Sequence, residues 1–300
     1  MSLLGTAGVP QSLAAPRDYD VLFARLKAAG ITLFFPTFQT VEVPSPAGLG
    51  YEVDFAAPGP AYEAALRQGV QILLPASIVY PDGTIPRRLF ADPLKKLLEA
   101  VGPGVVAGIF SWDEPVHQGV PLVRCNKLYT RVKQIDPNLP VVMVHAPRKA
   151  DEERDWAAYF FDVIAYSQYA DIAGFDVYPV TQEMMQHTSP AGAVFAEAHL
   201  TVRSYVEWWQ ANMPAKALVM VLQGFPQSAM YTQAWLDANA TAEQIALARA
   251  PTAQETEAML AEVAPFAMVT VWWGQSTLDD ETMAPWPAML ASAAACACNG

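Results

Sequence analysis

The chain has 300 residues, 53% of them hydrophobic and only 16% charged, a composition that points to a globular protein with a large core and segments buried on both faces. Its formal net charge of −12, from 30 acidic against 18 basic side chains with no Lys/Arg-rich run, excludes a phosphate backbone as the natural partner, so no nucleic acid is expected. No apolar run reaches the roughly 18 residues of a membrane span: even residues 157–169 are broken by Asp162 and Gln168.

The start, Met1-Ser2-Leu3-Leu4-Gly5, lacks the basic and apolar regions of an export signal. The expectation is a soluble protein of unassigned compartment, secreted if a signal has been removed, and of unassigned oligomeric state. Cys125 falls in a predicted helix and Cys296 and Cys298 in the tail, with no disulfide-framework spacing. The Cys-x-Cys tail has no nearby His and reads as a frayed terminus rather than a metal site.

In chain order, the first apolar run is Leu3 to Gly8. A helical segment, Asp18 to Ala29, follows with Val21, Leu22, Leu26 and Ala29 on one face, and Gly30 stops it before the second run, Ile31 to Pro36. A long loop, 37–58, leads to a segment that Gly69 ends before the third run, Val70 to Pro75. A second long loop, 76–91, precedes a helix over Asp92 to Val101, with Leu94, Leu97, Leu98 and Val101 on one face. The fourth run, Val105 to Trp112, stops abruptly at Asp113, Glu114 and Pro115.

Helix Leu122 to Ile135, run Val141 to His145, helix Asp155 to Tyr166, run Ile172 to Tyr178, helix Val194 to Gln210 and run Ala217 to Leu222 continue the alternation. After a third long loop, 224–251, come helix Thr252 to Val263, run Ala267 to Trp273 and helix Pro287 to Ala295. Strict alternation of eight β-rich runs with helices closes most simply into an α/β (β/α)8 TIM barrel, a single domain over residues 1–300 with long loops after strands 2, 3 and 7. The alternative, a doubly wound open sheet binding a dinucleotide, calls for a Gly-x-Gly-x-x-Gly that Gly5-Thr6-Ala7-Gly8 does not supply.

In such a barrel the carboxyl ends of the strands open into the substrate cleft. Schiff-base chemistry is disfavoured because Lys216 precedes its strand and Lys149 is the only lysine shortly after one. His117, His145, His187 and His199 are too scattered for a metal-dependent hydrolase, and no cofactor is expected. What remains at the strand ends is carboxylate, amide and aromatic: Gln39, Asp113, Glu114, His145, Asp176, Tyr178, Gln223, Trp272, Trp273 and Gln275.

Such a lining suits a neutral polyhydroxylated ligand, with donors and acceptors for hydroxyls and flat faces for C–H surfaces, so a carbohydrate is the expected substrate. Phe38, Tyr51, Phe55, Tyr80, Phe225, Tyr231 and Trp235 on the long loops are suited to stacking on sugar rings or, more plainly, to packing those loops on the barrel rim.

Glycoside hydrolysis commonly pairs a carboxylic acid that protonates the leaving oxygen with a second carboxylate. Glu114 fits the acid, with Trp112 as an apolar neighbour and Asp113 adjacent; the plainer reading makes Asp113 a helix cap and Glu114 a rim charge. Asp176 is the second carboxylate, as nucleophile, as base for water or as an orienting group; otherwise it is a buried acid satisfied by backbone donors.

Together, Trp112-Asp113-Glu114-Pro115, Phe175-Asp176-Val177-Tyr178-Pro179 and Val271-Trp272-Trp273-Gly274 resemble the fourth, sixth and eighth strands of (β/α)8-barrel glycoside hydrolases. The resemblance implies Glu114 as general acid/base and Trp272 or Trp273 lining the sugar subsite; Trp112, His145, Tyr178, Phe38 and Gln39, by their places at strand ends and on the loop after the second strand, are the further substrate-binding candidates. It breaks on the seventh strand, where that superfamily places a glutamate nucleophile and this chain has Gln223. Three mechanisms follow: Asp176 supplies the second carboxylate; Asp113 and Glu114 act as a pair on a substrate whose acetamido group attacks, as in barrel hexosaminidases, with Gln223 and Tyr178 as substrate contacts that hydrogen-bond that group; or the barrel binds glycan without cleaving it.

Overall fold

The computed structural model describes residues 3–7, 19–28, 30–35, 60–80, 83–102, 104–148, 155–180, 188–225, 236, 240–247 and 249–273. The β-rich runs form eight strands: β1 (Leu3–Ala7), β2 (Leu33–Phe35), β3 (Gln71–Pro75), β4 (Val106–Asp113), β5 (Val141–His145), β6 (Ile172–Val177), β7 (Ala217–Gln223) and β8 (Ala267–Trp273). All pair in parallel and in sequence order, and β8 hydrogen-bonds back to β1.

The helices are α1 (Tyr19–Ala28), α2 (Pro60–Gln68), α3 (Ala76–Val79), α4 (Pro93–Val101), α5 (Leu122–Ile135), α6 (Trp156–Ser167), α7 (Ala198–Asn212), α8 (Ala242–Leu247) and α9 (Ala253–Val263). Among the described residues none is long and apolar enough to cross a membrane. The loops expected after the third and seventh strands are partly helical, carrying α3 and α8; residues 37–58 and the helix expected at 287–295 lie outside the described residues.

Parallel strands packed on both faces must be apolar on both, and the alternation of side chains divides them between two cores. Ile109, Val141, Met143, Ala173, Phe175, Leu218 and Met220 belong to the outer core with the helices. Leu33, Phe35, Leu73, Phe110, Val142, Val144, Ile172, Val219 and Val221 fill the inner one, where the rings of Phe35 and Phe110 lie 4.4 Å apart.

Helix ends follow local chemistry. Asp92 caps α4, accepting from the Leu94 N–H at 2.9 Å, with Pro93 in the first turn; Thr252 and Glu255 form a capping box on α9. At the amino ends of the strands Asp171 accepts from the Val141 N–H and from Lys133 Nζ, both at 2.7 Å, which ties β5, β6 and α5 together on the face away from the cleft.

Candidate active site

The site is built where β4 stops being regular. Phe110 pairs with Val142 but Asp113 pairs with Val144, so three steps on β4 match two on β5 and the strand bulges at Ser111 and Trp112. A bulge re-aims the side chains that follow it. Glu114 comes next with φ +41°, the left-handed region, and among the described residues it is the one non-glycine residue with a positive φ. A glutamate there costs about 1–3 kcal/mol and persists only where its surroundings hold it. Here its N–H donates to Val144 O at 3.1 Å and its carbonyl accepts from the Gln118 N–H at 2.8 Å, locking the turn that Pro115 begins.

Asp176 enters from β6. It shares the inward alternation of Ile172, and Gly174 below it is required by spacing: a Cβ there would stand 1.7 Å from Val219 O. Asp176 is only 6% exposed, and the charges of Glu114 and Asp113 act on its carboxyl. Its Oδ1 is buried without a hydrogen-bond partner among the described residues. Burial first, then those two charges hold its carboxyl well above the usual range.

Asp113 keeps an exposed face but is otherwise closely surrounded. The surrounding protein first and the Glu114 charge second push its carboxyl up to about 7. Three acids thus stand at the ends of β4 and β6, two of them with raised proton affinity. Among the described residues no group of three or more His, Cys, Asp or Glu is arranged to hold a metal ion.

Other expected site residues are placed differently. His145 lies on the outer face of β5 and is fully buried: its Nε2 is 3.0 Å from Ser167 Oγ, which itself donates to Val163 O at 2.7 Å. With that hydroxyl proton committed, Nε2 is the donor, and burial holds the ring neutral by pushing its pKa down to about 3. His145 is therefore a packing residue between β5 and α6, not a sugar contact. The cause is parity, since Val142 and Val144 take the inner positions.

Trp112 is partly buried against the outer core, its ring tip 3.6 Å from where a Cβ on Gly83 would stand. Tyr80 and Phe225 are buried, so they pack their loops instead of offering stacking faces. Tyr178 is 7% exposed in the inner core, edge-on to Phe225 with ring centres 5.2 Å apart. Gln223, fully buried, uses its amide on backbone: Oε1 accepts from the Val180 N–H at 2.8 Å, and Nε2 donates to Val180 O and to Phe225 O. It has nothing left to offer a substrate. Trp273 holds the register of Gln223 and Trp272 that of Leu222. Phe38, Gln39 and Gln275 lie outside the described residues.

Sequence reasoning missed Arg148, buried just past β5 with its guanidinium 4.1 Å over the Trp156 ring. The Tyr205 hydroxyl beside it donates to Thr188 O at 2.8 Å, and the Asp176 and Arg148 charges both reach it. A basic residue three positions after a strand end was the available signal.

No family model matches the chain, and no curated protein does. Solved structures do. The chain is similar to the hyperthermostable endo-1,4-β-D-mannanase of Thermotoga petrophila RKU-1, at TM-score 0.56 and 13% identity over 97% of this chain and 100% of that one. It is also similar to the β-galactosidase of the psychrophilic Marinomonas ef1, at 0.59 and 9% over 99% and 60%. A third likeness, at 0.53 and 14% identity over 91% of this chain, is to a Bacteroides fragilis protein assigned as a β-galactosidase, of which the chain spans 36%. These neighbours are glycoside hydrolases with TIM-like barrels, and at such identities the likeness is one of fold.

Proposed function

We propose that the chain is a single-domain (β/α)8-barrel glycoside hydrolase, with Glu114 as general acid/base and Asp176 as its second carboxylate. The observation that carries this reading is the backbone at the end of β4, bulged and held at positive φ at Glu114, with the buried Asp176 near the end of β6 two strands away. A strained residue among acids of raised proton affinity is a recurrent mark of catalytic machinery. The substrate is a carbohydrate, with Tyr178, Trp272, Trp273, Phe38 and Gln39 as candidates for its subsites.

The sealed Oδ1 of Asp176 favours a second reading of the same site, because burial disfavours the ionised carboxylate that would attack an anomeric carbon. In that reading Asp113 holds a substrate acetamido group that acts as the internal nucleophile while Glu114 protonates the leaving oxygen. A glycan-binding barrel without turnover would keep affinity in Glu114→Gln and release no reducing ends in the wild type.

The deciding experiment is reducing-end release from a panel of plant and amino-sugar glycans by wild type and Glu114→Gln. Loss of turnover in a folded Glu114→Gln supports the acid role, and retained turnover removes Glu114 from it. Azide rescue of Asp176→Asn marks a covalent nucleophile; activity confined to N-acetylated substrates marks assistance by the acetamido group.

A further inference from the structure

The end of β7 carries a device the glycosidase reading does not use. Gln223 and Asp176 are on neighbouring strands, Asp176 in register with Val221 and Gln223 two residues further along the same inner face. Both polar ends of the Gln223 side chain are spent on the chain leaving β6, at the Val180 N–H and C=O, and one N–H reaches back to Phe225 O at 3.1 Å. Val180 is 3% and Phe225 1% exposed, so these backbone groups have no water to replace the amide. Between the two tied points sits the Tyr178–Phe225 ring pair, directly after Asp176.

We propose that Gln223 is a positioning residue: its amide acts as a one-residue strand pairing that fastens the β6 exit to the β7 exit and holds the wall on which Asp176 and Tyr178 stand. The position is occupied by an amide because both a donor and an acceptor are needed there. A carboxylate would set its oxygens against the Val180 and Phe225 carbonyls, and an apolar side chain would leave three buried backbone groups unmatched. The role in positioning catalysis rests on the glycosidase reading; the clamp itself does not.

The test uses Gln223→Glu and Gln223→Met in the full chain. A protonated Glu can still accept from the Val180 N–H and donate to Val180 O, whereas the carboxylate cannot donate. The folded chain therefore holds that proton above the ordinary glutamate value of about 4.3, and the loss of melting temperature relative to wild type is small near pH 4 and grows as pH rises. Amide exchange at Val180 speeds up in Gln223→Met, which offers that N–H no comparable acceptor, while Phe175 inside β6 stays protected.

If the wall positions the carboxyls, folded Gln223→Met loses roughly a hundredfold in kcat, the scale of a misplacement of about 1 Å, with KM changed far less. A pH-independent penalty in Gln223→Glu, or unchanged Val180 exchange, overturns the clamp. Unchanged kcat in Gln223→Met, or a gain of turnover in Gln223→Glu, overturns the positioning role. If wild type cleaves no glycan, the glycosidase reading falls, and the exchange and pH measurements still decide whether the clamp exists.

Discussion

Among the described residues two aspartates are buried, and their surroundings are opposite. Asp92, with no exposed surface, is matched on every side: Arg131 Nε at 2.7 Å, the Tyr80 hydroxyl at 2.9 Å and the Leu94 N–H at 2.9 Å. Asp176 is nearly as buried yet has another acid as its neighbour and one oxygen without a partner. A buried charge is tolerated when paired and hydrogen-bonded, and Asp92 staples the loop after β3 to α4 and α5 on those terms. An acid kept buried against its own kind is not explained by stability, and a carboxyl of raised proton affinity in such a place is a functional-site candidate.

The largest expected effect breaks the second environment. Glu114→Gln lowers turnover by roughly 10²–10⁴-fold, the usual contribution of a general acid, with no comparable fall in melting temperature; steady-state kinetics and thermal unfolding followed side by side check it. Next comes the first environment. Asp92→Ala strands the Arg131 guanidinium and costs about 3–5 kcal/mol in chemical denaturation, with the mechanism intact in whatever fraction stays folded. Gly174→Ala, which forces a methyl against the Val219 carbonyl beneath Asp176, costs about 1–3 kcal/mol or more by the same measurement.

The smallest effect is a change of slope. Asp176, and Asp113 at about 7, bind protons in the folded chain that the unfolded chain has already released. Their contribution to stability is full below the unfolded value of about 3.9 and fades as pH rises through the folded values. Asp176→Asn removes part of that decline, so its melting temperature gains on wild type as pH rises above about 4.

The contrast also marks how far the sequence could be read. Boundaries were legible where apolar runs meet strong stops: α5, β5 and β8 span the residues that the pattern predicts, and Gly30 and Gly69, at φ 79° and 67°, close helices where expected. The second strand begins at Leu33 and not Ile31 because Ile31 still bonds to Leu26 O, finishing the helix before it. Helix α7 begins at Ala198, after a turn in which the Ser189 N–H bonds to Ala193 O, so the apolar Val194 belongs to the turn and is 70% exposed.

The acids were legible because carboxylates ending an apolar run have few structural uses. Which way each side chain faces was not. Along Val141-Val142-Met143-Val144-His145 both faces are apolar, so nothing in the residues says that His145 turns outward. The β4 bulge is set by a register against β5 that no local signal encodes. The Val180 groups that bind Gln223 lie 43 residues away.

The measurement that bears most directly on the Glu114–Asp176 pair is a side-chain carboxyl titration by carbon NMR in wild type and Glu114→Gln. The expected result is that Asp176 titrates well above the ordinary carboxylate range in the wild type and that its midpoint falls once the charge of Glu114 is gone. An Asp176 that titrates in the ordinary carboxylate range, with the same midpoint in both proteins, would contradict the coupling of the two acids.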